Sequence, residues 1–594
     1  MVETASDYLQ RLGKFFHDIR VGRGVTLRAA AGNWSASTLS RFEHGEQDIS
    51  AVKAVDLMAR LGLEDTDFLA FYEAQPGNFP LTVLDDALAH NVKSVVKRRK
   101  AYFVEHPEHN TLTQLAAVLL DAAEHWGQPD FRFSDAQEQC LADRLALPEH
   151  YMMLEISILK VVGGPASHEL LTLLWQRIER LGPKWPLYGI RLLMVWLGAI
   201  MDRDISLVDA IEAKLKPIFT HYWDNKFTLE YLPNWTYGEA AVRWLREPTV
   251  ANEARVHQMV DDLMVMGGVD DARWFKNMFA RMQHARVYHN YSIVDHPMTM
   301  TASHTIGELL RNQRQYFGLT LHDISQEFSV SALRRFETGD TQLAFGGLTR
   351  LLGALGLQPS QFFTYLGRTD NHPLGVIGLR AAYVKLSQFA PSIRYPGPMA
   401  VCQQFELEVQ DKPTSILREQ MFILYTLAGV GDPPTMRRDA DRVFALLMQS
   451  DLWKIMELMA VQALGSWLTP AQMIPLFQHG RRILDNSPQF LLGRGHFFDG
   501  LNRSLVRLVK ADNKEDAHEF LQQLDWLPHG QNASPEAWTA IGSWLLALML
   551  VDGDAKAAAD CRVFLKRTRR VGHLDAIDTL KQLWSGLVPT DFFA

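Results

Sequence analysis

The chain has 594 residues, 47% of them hydrophobic and 22% charged, with a formal net charge of −8 at pH 7. That length exceeds what one hydrophobic core supports, about 250–300 residues, and the composition excludes a disordered or collagen-like chain. The negative balance means that any nucleic-acid contact must come from a local cationic face. The three cysteines, Cys140, Cys402 and Cys561, are too few and too far apart for a disulfide framework or a zinc knuckle.

In chain order, residues 8–73 parse as five short helices. Leu9, Leu12, Phe15, Phe16 and Ile19 recur at helical spacing, and Gly22 and Gly24 end that run. Thr26 is placed to cap a second helix, Leu27 to Ala31, and Ser35 or Ser37 a third that Gly45 closes. Ser50 caps a fourth with an apolar face of Val52, Val55, Met58 and Leu61, and a fifth around Asp67 to Tyr72 packs Phe68 and Phe71 back. Beyond this module run helical periodicities broken by turn clusters such as Gly163-Gly-Pro165 and Gly431-Asp-Pro-Pro434, the pattern of stacked helical hairpins of tetratricopeptide type.

The same text then returns. Ser35-Ala-Ser37-Thr-Leu39-Ser-Arg41-Phe42-Glu43-His-Gly45 reappears 294 residues later as Ser329-Val-Ser331-Ala-Leu333-Arg-Arg335-Phe336-Glu337-Thr-Gly339. From Gly13/Gly307 to Phe68/Phe362 the register holds without a gap, with 17 identities in 56 positions. A self-match at fixed offset reports architecture. A weaker match, Tyr151 to Glu155 against Trp453 to Glu457 and Leu174-Trp175 against Leu476-Phe477, extends the repeat at an offset of 302. The expected fold is therefore all-α: a module over 1–73, a helical-repeat domain over 74–291, a second module over 300–366 and a second repeat domain over 367–594.

A short, capped third helix with small polar residues and a cation at its start is what a helix-turn-helix reader inserts into the major groove, while neighbouring groups hold phosphates. The first copy offers Thr26, Arg28, Ser35, Ser37, Thr38, Ser40 and Arg41 for this, and the second Thr320, Ser329, Ser331, Arg334 and Arg335. Thr26 and Thr320 begin the supporting helix, whose free N–H groups favour a phosphate. Arg20 and Arg314 recur together with Glu43 and Glu337 and are read as bridges inside each module.

Gly-x-x-Leu-x-x-x-Arg, Gly-x-Thr-Leu and Ser-x-Ser-x-Leu-x-Arg-Phe-Glu-x-Gly together resemble the Cro/C1-type module of the Rgg/GadR/MutR regulators. The resemblance covers about 60 residues of each half and implies homodimeric transcription regulators whose repeat domain dimerises and, in many members, binds a short signalling peptide. Members of that family are half as long, so the chain reads as a covalent pseudo-dimer, with a homodimer of the whole chain as the alternative. The readers differ, Leu39-Ser40-Arg41 against Leu333-Arg334-Arg335 and Arg28 against His322, which implies an asymmetric operator.

The aromatic stretch His221 to Trp235, with Tyr222, Asn225, Tyr231 and Asn234, is a candidate peptide groove, as is Asn502 with Arg503. Amide and guanidinium groups suit a peptide main chain. No phosphate-binding loop, nucleophile elbow or metal-ligand spacing occurs, so neither an enzyme, a cofactor nor a metal is expected. No secretory signal and no long apolar run is present, and a cytoplasmic protein without membrane contact is expected. Lys and Arg number 8 against 10 acidic residues over 1–70, and 5 against 5 over 302–366. Modules this poor in cations leave open a second reading, a protein-interaction scaffold whose modules have lost DNA contact.

Overall fold

The computed structural model describes residues 4–64, 91–107, 110–145, 152–183, 188–220, 231–266, 268–284, 305–325, 328–357, 398–410, 412–486, 491–511, 514–527 and 535–593, with a few positions between these. The described residues hold 27 α-helices and no strand. In the first module these are α1 (Ala5–Gly22), α2 (Leu27–Ala31), α3 (Ala36–Glu43) and α4 (Ala51–Leu61). The first repeat domain runs α5 (Val92–Glu105), α6 (Thr111–Glu124), α7 (Asp135–Ala142), α8 (Met152–Val162), α9 (His168–Leu181), α10 (Tyr188–Met201), α11 (Ile205–Thr220), α12 (Leu232–Arg246), α13 (Val250–Val265) and α14 (Val269–Gln283). The second module supplies α15 (Ile306–Tyr316), α16 (Val330–Glu337) and α17 (Phe345–Ala354). Ten further helices mirror the first ten: α18 (Pro398–Val409), α19 (Thr414–Ala428), α20 (Pro433–Gln449), α21 (Ile455–Leu464), α22 (Pro470–Asn486), α23 (Leu491–Lys510), α24 (Lys514–Gln522), α25 (Pro535–Asp552), α26 (Ala555–Arg570) and α27 (Leu574–Leu583).

Local chemistry sets these helices. Thr4 and Asp7 form a capping box at α1, and Tyr8, Leu12, Phe16 and Ile19 make its buried stripe. Thr26 accepts from Ala29 N–H at 3.2 Å and Ser50 from Lys53 N–H at 3.4 Å. At α3 the cap is Ser35, not Ser37; its Oγ accepts Thr38 N–H at 3.0 Å, and Ser37 lies within the helix. The face of α4 is rotated from expectation. Ala51, Ala54, Leu57, Met58 and Leu61 are buried, while Val52 and Val55 are half-buried, because α4 meets α2 on one side and α17 on the other. Phe15, Phe68 and Phe71 cluster with ring centroids 5.2–5.8 Å apart, as expected for the fifth helix, of which only 67–68 and 71–72 are described.

The second copy departs in one place. Where the first has α2, residues 321–325 form turns, not an α-helix. Leu-Arg-Ala-Ala-Ala favours helix, whereas His322, Asp323 and Ser325 compete for the backbone with their own side chains. Residues 358–378, which include the fifth helix expected in that module, lie outside the described residues.

The halves are interleaved. Equivalent residues meet between the modules: Ser50 bridges Ala344, exactly one repeat offset away, and Phe345 N–H donates to Ile49 O at 2.7 Å. Asp48 accepts Gly346 N–H at 3.0 Å, and Tyr8 Oη lies 2.7 Å from Thr349 Oγ1. A patch that meets its own counterpart is the signature of a two-fold interface. The first module docks on the second repeat domain through Arg23 and Glu457, and through Asp67, which accepts Ile455 N–H at 2.8 Å at the start of α21. The second docks on the first repeat domain, where Tyr316 donates to Arg144 O and Phe317 lies 6.4 Å from Phe79. At the far ends α13 packs on the equivalent α26, with buried Asp262 2.8 Å from Arg570 and 3.4 Å from Arg567.

Candidate nucleic-acid interface

The third helix of each module stands on a rigid base. Leu39, Phe42 and Glu43 of α3 are buried, as are Leu333, Phe336 and Glu337 of α16. Arg20 reaches Glu43 with two bonds, 2.6 and 2.7 Å, and Val25 O with a third at 2.9 Å. Arg314 repeats the arrangement on Glu337 at 2.8 and 2.9 Å and on Leu319 O at 2.6 Å. The first helix is therefore clamped to the third, and to the loop that leads into the second. These arginines are spent inside the module, as expected from their co-occurrence. Behind the clamp the helices nearly touch, since a Cβ on Gly13 or Gly307 would overlap the carbonyl of Phe42 or Phe336.

The opposite face of the third helix is open. Ser37 and Arg41 are exposed, with Thr38 and Ser40 half-buried beside them. Thr38 Oγ1 lies 2.7 Å from Ser35 Oγ, so these two hydroxyls are held by each other. In α16, Ser331, Arg334 and Arg335 are all exposed, and Ser329 caps the helix on Ala332 N–H at 3.2 Å. Ser37, Ser40 and Arg41, like Ser331, Arg334 and Arg335, fall at i, i+3 and i+4 and so share one face. The second face carries one more guanidinium than the first.

The supporting helices are not equivalent. Thr26 and Arg28 are exposed, and among the described residues the acceptor at the start of α2 is the Thr26 hydroxyl. At Thr320 that position is filled. Asp323 accepts from Thr320 N–H at 2.6 Å and from its hydroxyl at 2.8 Å. Those bonds, the backbone one foremost, hold the Asp323 carboxyl below the usual carboxylate range, so an anion meets a negative charge there. The backbone N–H and hydroxyl of Thr320, expected to meet a phosphate, are bonded to Asp323 three residues on.

The candidate peptide contacts are scattered. Tyr222 and Asn225 lie outside the described residues. Asn502 is 1% exposed, with neither amide atom partnered among the described residues, and Asn234 is buried, so neither lies on an accessible groove. Both face inward because their helices, α23 and α12, are central in the stack and covered on several sides. Arg503 is half-buried. Tyr231 is half-buried under Lys160, whose ammonium sits 5.1 Å from the ring centroid.

Lys160 instead borders a small pocket of the first repeat domain that sequence reading missed. Trp126, Asn277, Met278 and Arg281 line it too. Arg281 donates to Phe131 O, Gly164 O and Gln128 O at 2.9–3.0 Å, and burial lowers its pKa to about 9. Trp126 Nε1 and Asn277 Nδ2 are buried without a partner among the described residues. The pocket comes from α6, α8 and α14, far apart in sequence, and no local motif announces it. No group of three metal-ligating side chains occurs among the described residues, and no helix there is long and apolar enough to cross a membrane.

No family model matches the sequence, and no curated protein matches it either. Among solved structures the chain is similar to a Listeria monocytogenes EGD-e protein proposed to be a transcriptional regulator, at 17% identity and a TM-score of 0.36, covering 48% of this chain and 98% of that one. It is similar to the Streptococcus dysgalactiae SHP pheromone receptor Rgg2 at 14% identity and a TM-score of 0.33, over 46% and 98% of the two chains. PrgX in complex with iCF10 is matched at 14% identity and a TM-score of 0.32, over 48% and 93%. Each of these proteins spans about half of this chain.

Proposed function

We propose that this chain is a sequence-specific DNA-binding transcription regulator made by tandem duplication of an Rgg-type unit, so that one polypeptide supplies both halves of a pseudo-dimer. The observation that carries the reading is the pair of short, side-chain-capped helices, α3 and α16, each clamped from behind by a buried Arg–Glu bridge and each open on a Ser/Arg face. A clamp of that kind holds a reading helix rigid while leaving its outer residues free for base edges. The unequal faces call for an asymmetric operator. Retaining sheared genomic DNA on the protein and sequencing it tests this. An enriched motif that S37A/T38A/R41A alters in one half only supports the reading; no enrichment refutes it.

Input enters through the repeats in this reading, at the first-domain pocket. Donors on Trp126 and Asn277 without a partner among the described residues, beside the Lys160 ammonium, suit a carboxylate or carbonyl oxygen such as one end of a short peptide. The candidate residues Tyr231, Asn234, Asn502 and Arg503 are less suited than this pocket. The protein would act in the cytoplasm, as a regulator of bacterial type does.

A second reading, a scaffold with vestigial modules, is favoured by one observation: Asp323 bonds the backbone N–H and hydroxyl of Thr320 and puts a negative charge there. The two readings separate on salt. A reader loses DNA affinity steeply as salt rises, and a scaffold has none to lose.

A further inference from the structure

Beside α16, Asp323 already takes up the backbone N–H and hydroxyl of Thr320. Lys93, Lys97 and Lys100 recur at i, i+4 and i+7 on α5, opposite the buried Val95 and Tyr102, and so form one outward stripe. All three are exposed, and none has a partner among the described residues. Their neighbour Arg99 is neutralised, bonded to Glu124 at 2.6 Å and to Asp121. The equivalent helix in the other half, α18, carries no Lys or Arg at all, and Glu406 and Glu408 instead. The stripe is thus a local departure from a chain with a net charge of −8.

The helix that bears it packs toward the second module on the face opposite the stripe. Tyr102 of α5 stacks edge-on to Phe79, which contacts Phe317 at the end of α15, with centroids 6.4 Å apart at each step. At the start of α6, Thr111 Oγ1 lies 3.8 Å from where a Cβ of Gly318 would stand, and Gly318 is two residues before Thr320. The α5–α6 hairpin therefore abuts the loop that carries Thr320.

We infer that the Lys93–Lys97–Lys100 stripe of the first repeat domain is an auxiliary DNA surface, contacting backbone phosphates that flank the half-site read by α16. The inference rests on the reading of the chain as a DNA-binding protein. Three ammonium groups on one helix face match successive phosphates as point charges and carry no sequence information, so they add affinity without changing the motif.

The test is fluorescence anisotropy of a labelled 40-base-pair random-sequence duplex from roughly 50 to 200 mM salt, where each neutralised phosphate contributes about 0.9 to the slope of log K on log salt. The K93Q/K97Q/K100Q variant of the full chain is expected to lose about 2–3 from that slope, to bind about 10–100-fold more weakly at low salt, and to keep the thermal midpoint of the wild type. Exchange of the same residues to arginine should restore the slope. An unchanged slope in the glutamine variant, with the wild type binding normally, overturns the proposal and leaves the reader helices standing. Loss of binding to vesicles containing 30% phosphatidylserine with an unchanged DNA slope overturns it in favour of a membrane. No duplex binding by the wild type overturns both this proposal and the DNA-binding reading.

Discussion

Arg23 and Glu457, 434 residues apart, are bound by two parallel bonds of 2.7 Å with each side chain only 7% exposed. The guanidinium also donates to Leu61 O, so it ties the end of α4 to the start of α21. Burial opposes its charge, but Glu457, Asp67 and Glu419 around it more than offset that and hold it protonated. This fork is where the first module is held on the second repeat domain, and the second module has no counterpart to it, since Phe317 stands where Arg23 would recur.

Removing one partner of such a pair leaves the other buried and unpaired. Arg23→Ala is therefore expected to cost about 3–5 kcal/mol, and Arg23→Met with Glu457→Gln distinctly less. Urea denaturation with hydrogen exchange on α1–α4 checks it. Equal losses for the single and double changes would show that packing, not the stranded charge, carries the cost.

The same contact makes docking pH-dependent. Burial, helped by the neighbouring Glu457 charge, pushes the Glu419 carboxyl up to about 8, and burial raises Asp67 as well. A folded pKa raised above an unfolded value of 4.5 means the native state binds more protons between the two, so stability is full below about pH 4.5 and is lost as pH rises through about 8. The thermal midpoint should fall from about pH 4.5 to about 8 and level off above it, and Glu419→Gln should flatten that fall. A steeper fall in the variant would rule this origin out.

Gly13 and Gly307 allow α1 and α15 to cross the third helices at backbone distance. Gly13→Ala or Gly307→Ala puts a methyl against a carbonyl that is itself part of a helix and cannot yield cheaply. Each is expected to destabilise by more than about 3 kcal/mol, measured by circular dichroism melts, although alanine is the better helix former. A gain in stability would mean the helices can separate without loss.

Equivalent surfaces are consumed within the chain, at Ser50 against Ala344 and α13 against α26. The protein is accordingly expected to sediment as a monomer at low micromolar concentration. A stable dimer would require each half to pair with its equivalent in a second copy.

The last expectation concerns the readers. R334A/R335A should weaken and relax one half-site by about 1–3 kcal/mol per lost base contact, and Arg41→Ala the other. Footprints of the two variants on one operator compare them directly, and identical footprint changes would refute separate half-sites.

What the sequence determined by itself is what neighbours along the chain decide. Caps at Thr26, Ser35, Ser50 and Ser329 follow from a hydroxyl placed before a helical run, and the Arg20–Glu43 and Arg314–Glu337 clamps could be read because the pair recurs at one offset. Even a neighbour three positions away can change a site's chemistry, as Asp323 does by bonding the backbone N–H and hydroxyl of Thr320. Tertiary structure alone decided the rest. Arg23 and Glu457 do not recur as a pair, so the repeat holds no trace of their contact. Asn502 looked like a groove residue until its helix was enclosed on several sides, and the pocket around Trp126, Lys160 and Asn277 is assembled from three helices that share no motif. Contacts between distant segments depend on which faces the packing leaves free, and helical periodicity names a buried face without naming what covers it.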